Sequence, residues 1–512
     1  MFNKRITITA ILLLTFSLIL YAFTRPTLVF LAYFITIFYI VWGLYHILLT
    51  VRGVGPIFSP HLPPSRFPKV SVIVPAMNEP ILPRTIEVIV NHVSYPSSLK
   101  EVVVVTDDPL GERISIFMQQ KYPNNVKAIA RRAFYPTKPS ALNDALALCS
   151  GEVVGIVDVE DIPDLDAFQK AVAALVNHGY DAVQAILRIN NEEDSWITRV
   201  FAYEYAGWFR IWLNGRARLG LYTPLGGTGN YFWKTGARYV GGWDSLNVAE
   251  DAELAVRMTV SGMKIGVIDA RHWEEAPVTF KKWLRQRTRW YRGWLQSLWK
   301  YLTFLWSPSL MRRIGPVRLF SILIMLFSPI VVLLNWVSFA LTGLWVLELY
   351  GFAPPLLSGV FPTWAILPVF LNIVFISAWL LGGWLERVKT PWWHVILPML
   401  FYSYVMMPLA SLRAIYQEIA KPVIWEKTEH PGRGVVGFAA EPASQSLAAA
   451  AIQVLEVEEA MEYEEWPFEY LTPRTKIPEK AAIAIWSVIL ALDILFIWIL
   501  LSNPNTLPAI LG

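Results

Sequence analysis

Apolar residues fall along this chain in two textures. Long unbroken runs occupy about 6–23 and 27–50, each near the length that crosses about 30 Å of hydrocarbon, and predict an N-terminal transmembrane hairpin within residues 1–52. From 67 to 276 the runs shorten to Val/Ile clusters separated by longer mixed segments. That alternation predicts an α/β domain. Val70 to Pro75, Glu101 to Thr106 and Val153 to Val157 read as strands buried on both faces, each emptying into polar residues. Open α/β sheets bind ligands beyond the carboxyl ends of their strands, so those polar residues are the first candidates for a site.

The long texture returns further on. Residues 277–316 are basic and aromatic and predict amphipathic interfacial helices. Within 317–420, apolar runs at 319–346 and 362–385 read as spans. The run 391–419 contains Pro398 and Pro408 and has basic residues on both sides, which favours an interfacial or re-entrant segment over a crossing. A polar segment, 421–480, carries seven Glu between Glu456 and Glu469, and a last span is predicted within 481–512.

Composition supports a membrane chain. Of 512 residues 55% are hydrophobic, 23 are Trp, and mean hydropathy is +0.42. The net charge of +4 is modest, and ten Lys or Arg lie between Lys281 and Arg318. That local patch suits a cytoplasmic membrane face better than nucleic acid, whose readers are basic over a whole domain. Lys4 and Arg5 before the first run, and Arg52, Arg66 and Lys69 after the second, put the α/β domain in the cytoplasm. The connection 348–360, without Lys or Arg, is expected outside. A single cysteine, Cys149, excludes an intrachain disulfide and any multi-thiolate zinc site.

Several short stretches carry chemistry. Glu79 follows the first strand, and Asp107 and Asp108 follow the second. Thr137-Lys138-Pro139 opens a predicted helix whose first amides and Lys138 suit a diphosphate. Asp158, Glu160 and Asp161 crowd three carboxylates behind the Val153 strand, which calls for a divalent cation; oxygen ligands favour Mg²⁺ or Mn²⁺. Downstream come Gly226-Gly227-Thr228-Gly229-Asn230, then Ala249-Glu250-Asp251, then Gln286 to Trp290. On a helix Gln286, Arg289 and Trp290 fall at i, i+3 and i+4, so an amide, a guanidinium and an indole share one face.

These motifs, in this order, resemble the membrane-integrated family 2 glycosyltransferases, including cellulose, mannan and hyaluronan synthases. The resemblance implies a GT-A (Rossmann-like) α/β domain, 67–276, inserted between transmembrane α-helices. It implies a nucleotide-diphosphate sugar donor, UDP- or GDP-linked, held by Glu79, Asp107 or Asp108, Lys138, Asp158, Gln286 and Arg289. Mg²⁺ or Mn²⁺ would sit on Asp158 with Glu160 or Asp161, and Asp251 would be the general base of an inverting transfer. Gly227, Thr228 and Trp290 would face the acceptor, and Ala249, where the family has threonine, would loosen a helix cap. Trp425, Lys427 and Thr428 resemble the family's gating loop. The expected product is a β-glycan exported through the enzyme's own spans at the plasma membrane; the alternative is a single transfer to a lipid acceptor such as a polyprenyl phosphate or glycolipid. Trp208, Trp212, Trp283 and Trp294 are read as packing or interfacial, and His272 and His430 as ordinary polar contacts.

Overall fold

A computed structural model describes residues 24–133, 136–305 and 307–420. Residues 1–23 and 421–512 lie outside the described residues, and with them the first run of the hairpin, the acidic segment, the last span and the gating residues Trp425, Lys427 and Thr428. The chain divides into two compact units. One, Phe34–Thr342 continued from Pro362, holds the sheet. The other includes 24–33 and 343–361, where Arg25 Nη2 donates to the Ser358 carbonyl at 3.2 Å and Glu348 accepts the Leu357 amide at 2.9 Å.

Helix α1 is Arg25–Gly53. The α/β domain then runs β1 (Val70–Ala76), β2 (Lys100–Thr106), α2 (Pro109–Lys121), β3 (Val126–Ala130), α3 (Lys138–Leu148), β4 (Val153–Ile156), β5 (Ile162–Pro163) and α4 (Ala167–His178). It continues with β6 (Ala182–Ile189), α5 (Trp196–Tyr205), β7 (Asn230–Trp233), α6 (Glu250–Val260) and β8 (Ile265–Glu274). Then come α7 (Phe280–Leu305), α8 (Pro316–Leu326), α9 (Ser328–Leu349), α10 (Thr363–Leu385) and α11 (Ile396–Ala420).

The eight strands form one mixed sheet in the order β3-β2-β1-β4-β7-β6-β8-β5. Strands β1, β2, β3 and β4 are parallel; β7 runs against both β4 and β6. Alternation sorts the strand residues between two cores: Val72, Val74, Val102 and Val104 join one, with α4, while Ile73, Val103 and Val105 join the other, with α3 and α6. Both faces are buried, which is why the strands read as unbroken Val/Ile runs. Register then fixes the site. Ala76 lies opposite Thr106, and Ile73 is level with both Val103 and Ile156, so Glu79, Asp107 and Asp158 leave the sheet from one edge.

Helices α1, α9, α10 and α11 are each long and apolar enough to cross a membrane. The predicted 319–346 span is in fact two helices, α8 and α9, separated at Phe327, and Pro329 stands in the first turn of α9, where its missing N–H costs nothing. The 391–419 run, expected in the interface, forms the 25-residue α11. Pro398 falls in its first turn, and a π-helical stretch, Tyr402–Met406, precedes Pro408 and absorbs the lost bond. Helix α7, expected as an amphipathic interfacial helix, packs one face inside the described fold. Its Trp283, Arg287, Thr288, Tyr291, Arg292 and Leu295 are buried. It packs along α11, with the Trp283 indole donating to Tyr402 Oη at 2.6 Å and Arg292 Nε to Glu418 at 2.9 Å. The sequence showed a basic, aromatic helix but not the acidic and phenolic partners waiting on α11.

Candidate active site

Three charged groups converge over Gly227. Lys138 opens α3 behind Thr137, whose hydroxyl caps the helix by accepting the Ser140 amide at 3.4 Å. Its ammonium donates to both oxygens of Asp158, at 2.6 and 2.7 Å, and to the Gly227 carbonyl at 3.0 Å. A methyl carbon placed on Gly227 would stand 3.3 Å from Lys138 Nζ, 3.5 Å from Asp251 Oδ2 and 3.8 Å from Asp158 Oδ2. Hydrogen at this position leaves the space between the three groups open. The loop around it is fixed from behind: Gln184 accepts the Gly226 amide at 2.8 Å, and Asn230 donates to the Gly226 carbonyl at 2.6 Å.

Asp251 occupies the first turn of α6. Ala249 at its N-cap makes no side-chain capping bond. The turn is held from α7 instead: Arg289 donates to the Val248 carbonyl at 3.2 Å, Gln296 accepts the Val248 amide at 3.1 Å, and Asn247 donates to Ser297 Oγ at 2.9 Å. Gly293 lets the helices meet there, since a Cβ on it would come within 2.3 Å of Ala249 Cβ. Asp251 Oδ1 accepts the Ala252 amide at 2.7 Å. Burial and then the neighbouring Glu250 charge push its carboxyl up to about 7, against the Ala252 hydrogen bond and the Lys138 and Arg289 charges. Burial would lower Lys138, but Asp158, Glu250 and Asp251 around it reverse the sign and raise it.

The acidic strand ends separate by role. Glu79 and Asp107 line the cavity in front of the sheet. Asp108 does not: it caps α2, accepting the Gly111 amide at 2.8 Å and the Asn78 amide at 2.9 Å. Asp158 and Glu160 line the cavity, whereas Asp161 is wholly buried behind it, bonded to the Thr228 hydroxyl at 2.5 Å and His272 Nδ1 at 2.7 Å. Thr228, read as an acceptor contact, is committed to Asp161 and to the Asp158 amide, so it braces the carboxylate loop. His272 is the polar contact the sequence suggested, also meeting Tyr231 Oη at 2.8 Å.

For a divalent cation, the described residues offer no cluster of three His, Cys, Asp or Glu ligands. They do offer Asp158, whose carboxyl is pushed up to about 6 by burial and the Glu160 and Asp161 charges despite the Lys138 bond. Asp158 and Glu160 thus put a pair of carboxylates on the cavity, which fits an ion such as Mg²⁺ that draws its remaining ligands from phosphate and water.

The cavity, about 620 Å³, continues from these groups between the helices that are long and apolar enough to cross a membrane. Gln286, Arg289 and Trp290 all face it from α7. On residues that line it, three buried oxygens, Glu250 Oε2, Glu274 Oε1 and Gln286 Oε1, have no hydrogen-bond partner among the described residues. Burial, then Asp161, raises the Glu274 carboxyl well above the usual carboxylate range. Arg287, within the same motif, serves the fold. It makes two 2.6 Å bonds to Glu204, donates to Tyr402 at 2.9 Å, and lies 4.7 Å from the Trp290 ring centre.

Sequence reasoning missed the membrane end of this cavity. There α5 runs through a π-helical stretch, Ala206–Leu213, into Asn214–Arg218. Glu204, Trp208, Trp212 and Arg216 line the cavity at four-residue spacing, joined by Trp294 of α7, Trp42 and His46 of α1, and Phe375 and Trp379 of α10. The four-residue stripe was the available signal, hidden because Trp is also the usual packing residue of membrane interfaces.

A family model described as "Glycosyltransferase like family 2" matches residues 68–293. A β-monoglucosyldiacylglycerol synthase of Synechocystis is 27% identical over 266 residues, 51% of this chain and 54% of that protein. Rice glucomannan 4-β-mannosyltransferase 1 is 25% identical over 281 residues, 50% of this chain and 54% of that protein. The chain thus spans about half the length of these relatives. The structure of a mannosyltransferase from Pyrobaculum calidifontis, in complex with GDP-Man and Mn²⁺, superposes with a TM-score of 0.53 at 19% identity, covering 77% of this chain and 99% of that one. The shared fold is GT-A.

Proposed function

Residues 68–293 are a family 2 glycosyltransferase domain, and from that premise we propose that the enzyme inverts the anomeric centre of a nucleotide-diphosphate hexose as it transfers the sugar to a membrane-borne acceptor. The convergence of Lys138, Asp158 and Asp251 over Gly227 carries this reading. A base and a cation-lined leaving-group site face each other across the gap that Gly227 leaves free of a side chain.

In this mechanism Asp251 accepts the acceptor hydroxyl proton at Oδ2, its other oxygen being held by the Ala252 amide. A carboxyl near 7 is a far stronger base than an ordinary aspartate while still ionised in useful amount at neutral pH. Attack comes from the Asp251 side and the diphosphate departs toward Lys138 and the amino end of α3, where Lys138 and Arg289 balance the charge that develops. Asp158 and Glu160 would hold Mg²⁺ or Mn²⁺, which when bound supplies further charge neutralisation for the diphosphate. Glu79 and Asp107, at the far end of the cavity, suit the hydroxyl and amino donors of a ribose and base. The Lys and Arg flanking the spans favour a cytoplasmic domain at the plasma membrane.

Cavity depth favours a lipid-linked acceptor over a threaded chain. At roughly 1.5 Å per residue, Trp42 lies about 16 Å along α1 from Gly53. Further along α1, among the described residues, Tyr39 donates to Asn335 at 2.8 Å, the Thr36 and Thr363 hydroxyls pair at 2.7 Å, and Ile35 and Trp364 are fully buried. The described lining thus extends over about half the ~30 Å of a hydrocarbon layer, a depth that suits the head of a lipid-linked acceptor. Its unpaired acceptor oxygens on Glu250, Glu274 and Gln286 favour a hydroxyl-rich head, stacked on Trp290, over a bare diacylglycerol. The second reading, polymer synthesis with export, draws on the tryptophans of the membrane end, which would suit a sugar chain.

Product size separates the two. The full-length protein in nanodiscs, given labelled UDP- and GDP-hexoses, Mn²⁺ and membrane lipid extract, should yield an organic-extractable lipid one sugar longer. A long aqueous or insoluble polymer would instead support the second reading.

A further inference from the structure

The membrane end of the cavity carries one buried cation whose charge the fold leaves unbalanced. Arg216 is 2% exposed. Its Nη1 donates to the carbonyls of Tyr222 and Ser321, each at 3.3 Å, and its guanidinium lies 5.3 Å from the Tyr45 ring centre. Its Nε has no hydrogen-bond partner among the described residues. Among the described residues no carboxylate lies within 4 Å of it, whereas the other deeply buried arginines, Arg287 and Arg292, are each paired with a glutamate. Two neutral carbonyls at the long end of the hydrogen-bond range satisfy some of its donors but none of its charge. A buried charge of this kind is ordinarily paired.

Its position says what would pair it. Arg216 lines the same cavity as Asp251, whose wall also includes Trp42, Trp212 and Phe375. Tyr222, whose carbonyl holds Arg216, donates through its hydroxyl to the Ala252 carbonyl at 2.9 Å, so the guanidinium and the base are set on either side of one fixed ring. A planar guanidinium with a spare Nε–H, in a dry aromatic surround, matches a phosphate oxyanion better than a hydroxyl.

We propose that Arg216 binds a phosphate group at the membrane end of the cavity, on the acceptor lipid itself, so that an acceptor bearing phosphate between its sugar head and its apolar chain is the preferred substrate. This rests on the lipid-acceptor reading and deepens it. Arg216 is then a specificity-determining residue, remote from the bonds that form and break.

The test compares a prenyl-phosphate-linked hexose with the matched neutral prenyl hexoside, in phosphatidylcholine nanodiscs with or without phosphatidylglycerol. Wild-type enzyme should show a KM about tenfold lower for the phosphate-bearing acceptor in phosphatidylcholine alone, the size of one charge-assisted contact. Arg216→Gln should remove that preference by raising KM for the charged acceptor about tenfold more than for the neutral one, and Arg216→Lys should restore part of it. If phosphatidylglycerol instead accelerates transfer to the neutral acceptor, and Arg216→Gln abolishes that gain, the phosphate belongs to a separate lipid; the binding role stands and its assignment to the acceptor falls. Equal KM values for both acceptors in wild-type enzyme, whatever the lipid, would overturn the proposal and need no variant. Release of free hexose from the donor, measured in the same samples, separates these outcomes from failure of the transferase reading, in which neither acceptor nor water receives sugar.

Discussion

Asp251→Asn is the substitution with the sharpest pair of consequences. Asparagine keeps the shape and can still accept the Ala252 amide bond, but it cannot take a proton. Loss of the base should lower kcat by about 10²–10⁴-fold. The same change should stabilise the protein. The wild-type carboxyl rises from 3.8 to about 7 on folding, and at 1.36 kcal/mol per unit this is an upper bound of about 4 kcal/mol spent on burying the charge. Because the folded state holds its proton more tightly, wild-type stability falls as pH rises from about 4 to 7 and levels off above. The advantage of Asp251→Asn should therefore be larger at pH 8 than at pH 5. Thermal unfolding in detergent at the two pH values, beside the pH dependence of wild-type kcat/KM, checks both halves, and kcat/KM should climb through about pH 7. A variant that turns over at a near-normal rate would refute the base assignment. An equal melting gain at both pH values, with a flat rate profile, would refute the claim that burial holds the carboxyl up.

Other perturbations follow from the same geometry. Gly227→Ala places a methyl among Lys138, Asp158 and Asp251 and should cost about 10²-fold in activity at an unchanged melting temperature, a misplacement near the reacting atoms being worth that much. Glu160→Gln should raise the Mn²⁺ concentration needed for half-maximal transfer, whereas Asp161→Asn should lower thermal stability, because Asp161 serves Thr228 and His272; chelation with EDTA should stop transfer in the wild type. Arg287→Met strands the buried Glu204 carboxylate and should cost about 3–5 kcal/mol, largely recovered by adding Glu204→Gln, as read by denaturation in detergent.

The strands were legible because burial on both faces writes itself as unbroken Val/Ile runs, and parallel pairing brings their polar ends to one edge. Gln286, Arg289 and Trp290 were legible as one helix face for the same local reason, and all three meet the cavity. What the sequence hid was long-range. Asp108 and Asp161 look like Asp107 and Glu160 in a linear text; only the fold shows the first spent on an α2 cap and the second on a hydroxyl and an imidazole. Arg287 was legible only as one more cation of a basic, aromatic helix, because Glu204 and Tyr402, its partners, lie 83 and 115 residues away in sequence. The lining of the membrane end escaped because its tryptophans sit on three separate helices and the π-helical stretch 206–213.

The central claim is a single displacement with Asp251 as base, and the configuration of the new glycosidic bond tests it most directly. An α-linked nucleotide hexose labelled with ¹³C at the anomeric carbon, transferred by the full-length enzyme in nanodiscs, should give a product whose one-bond C–H coupling reports a β linkage. An α-linked product would mean retention, and with it a covalent or front-face route in which Asp251 is not the base that deprotonates an attacking hydroxyl from the opposite face.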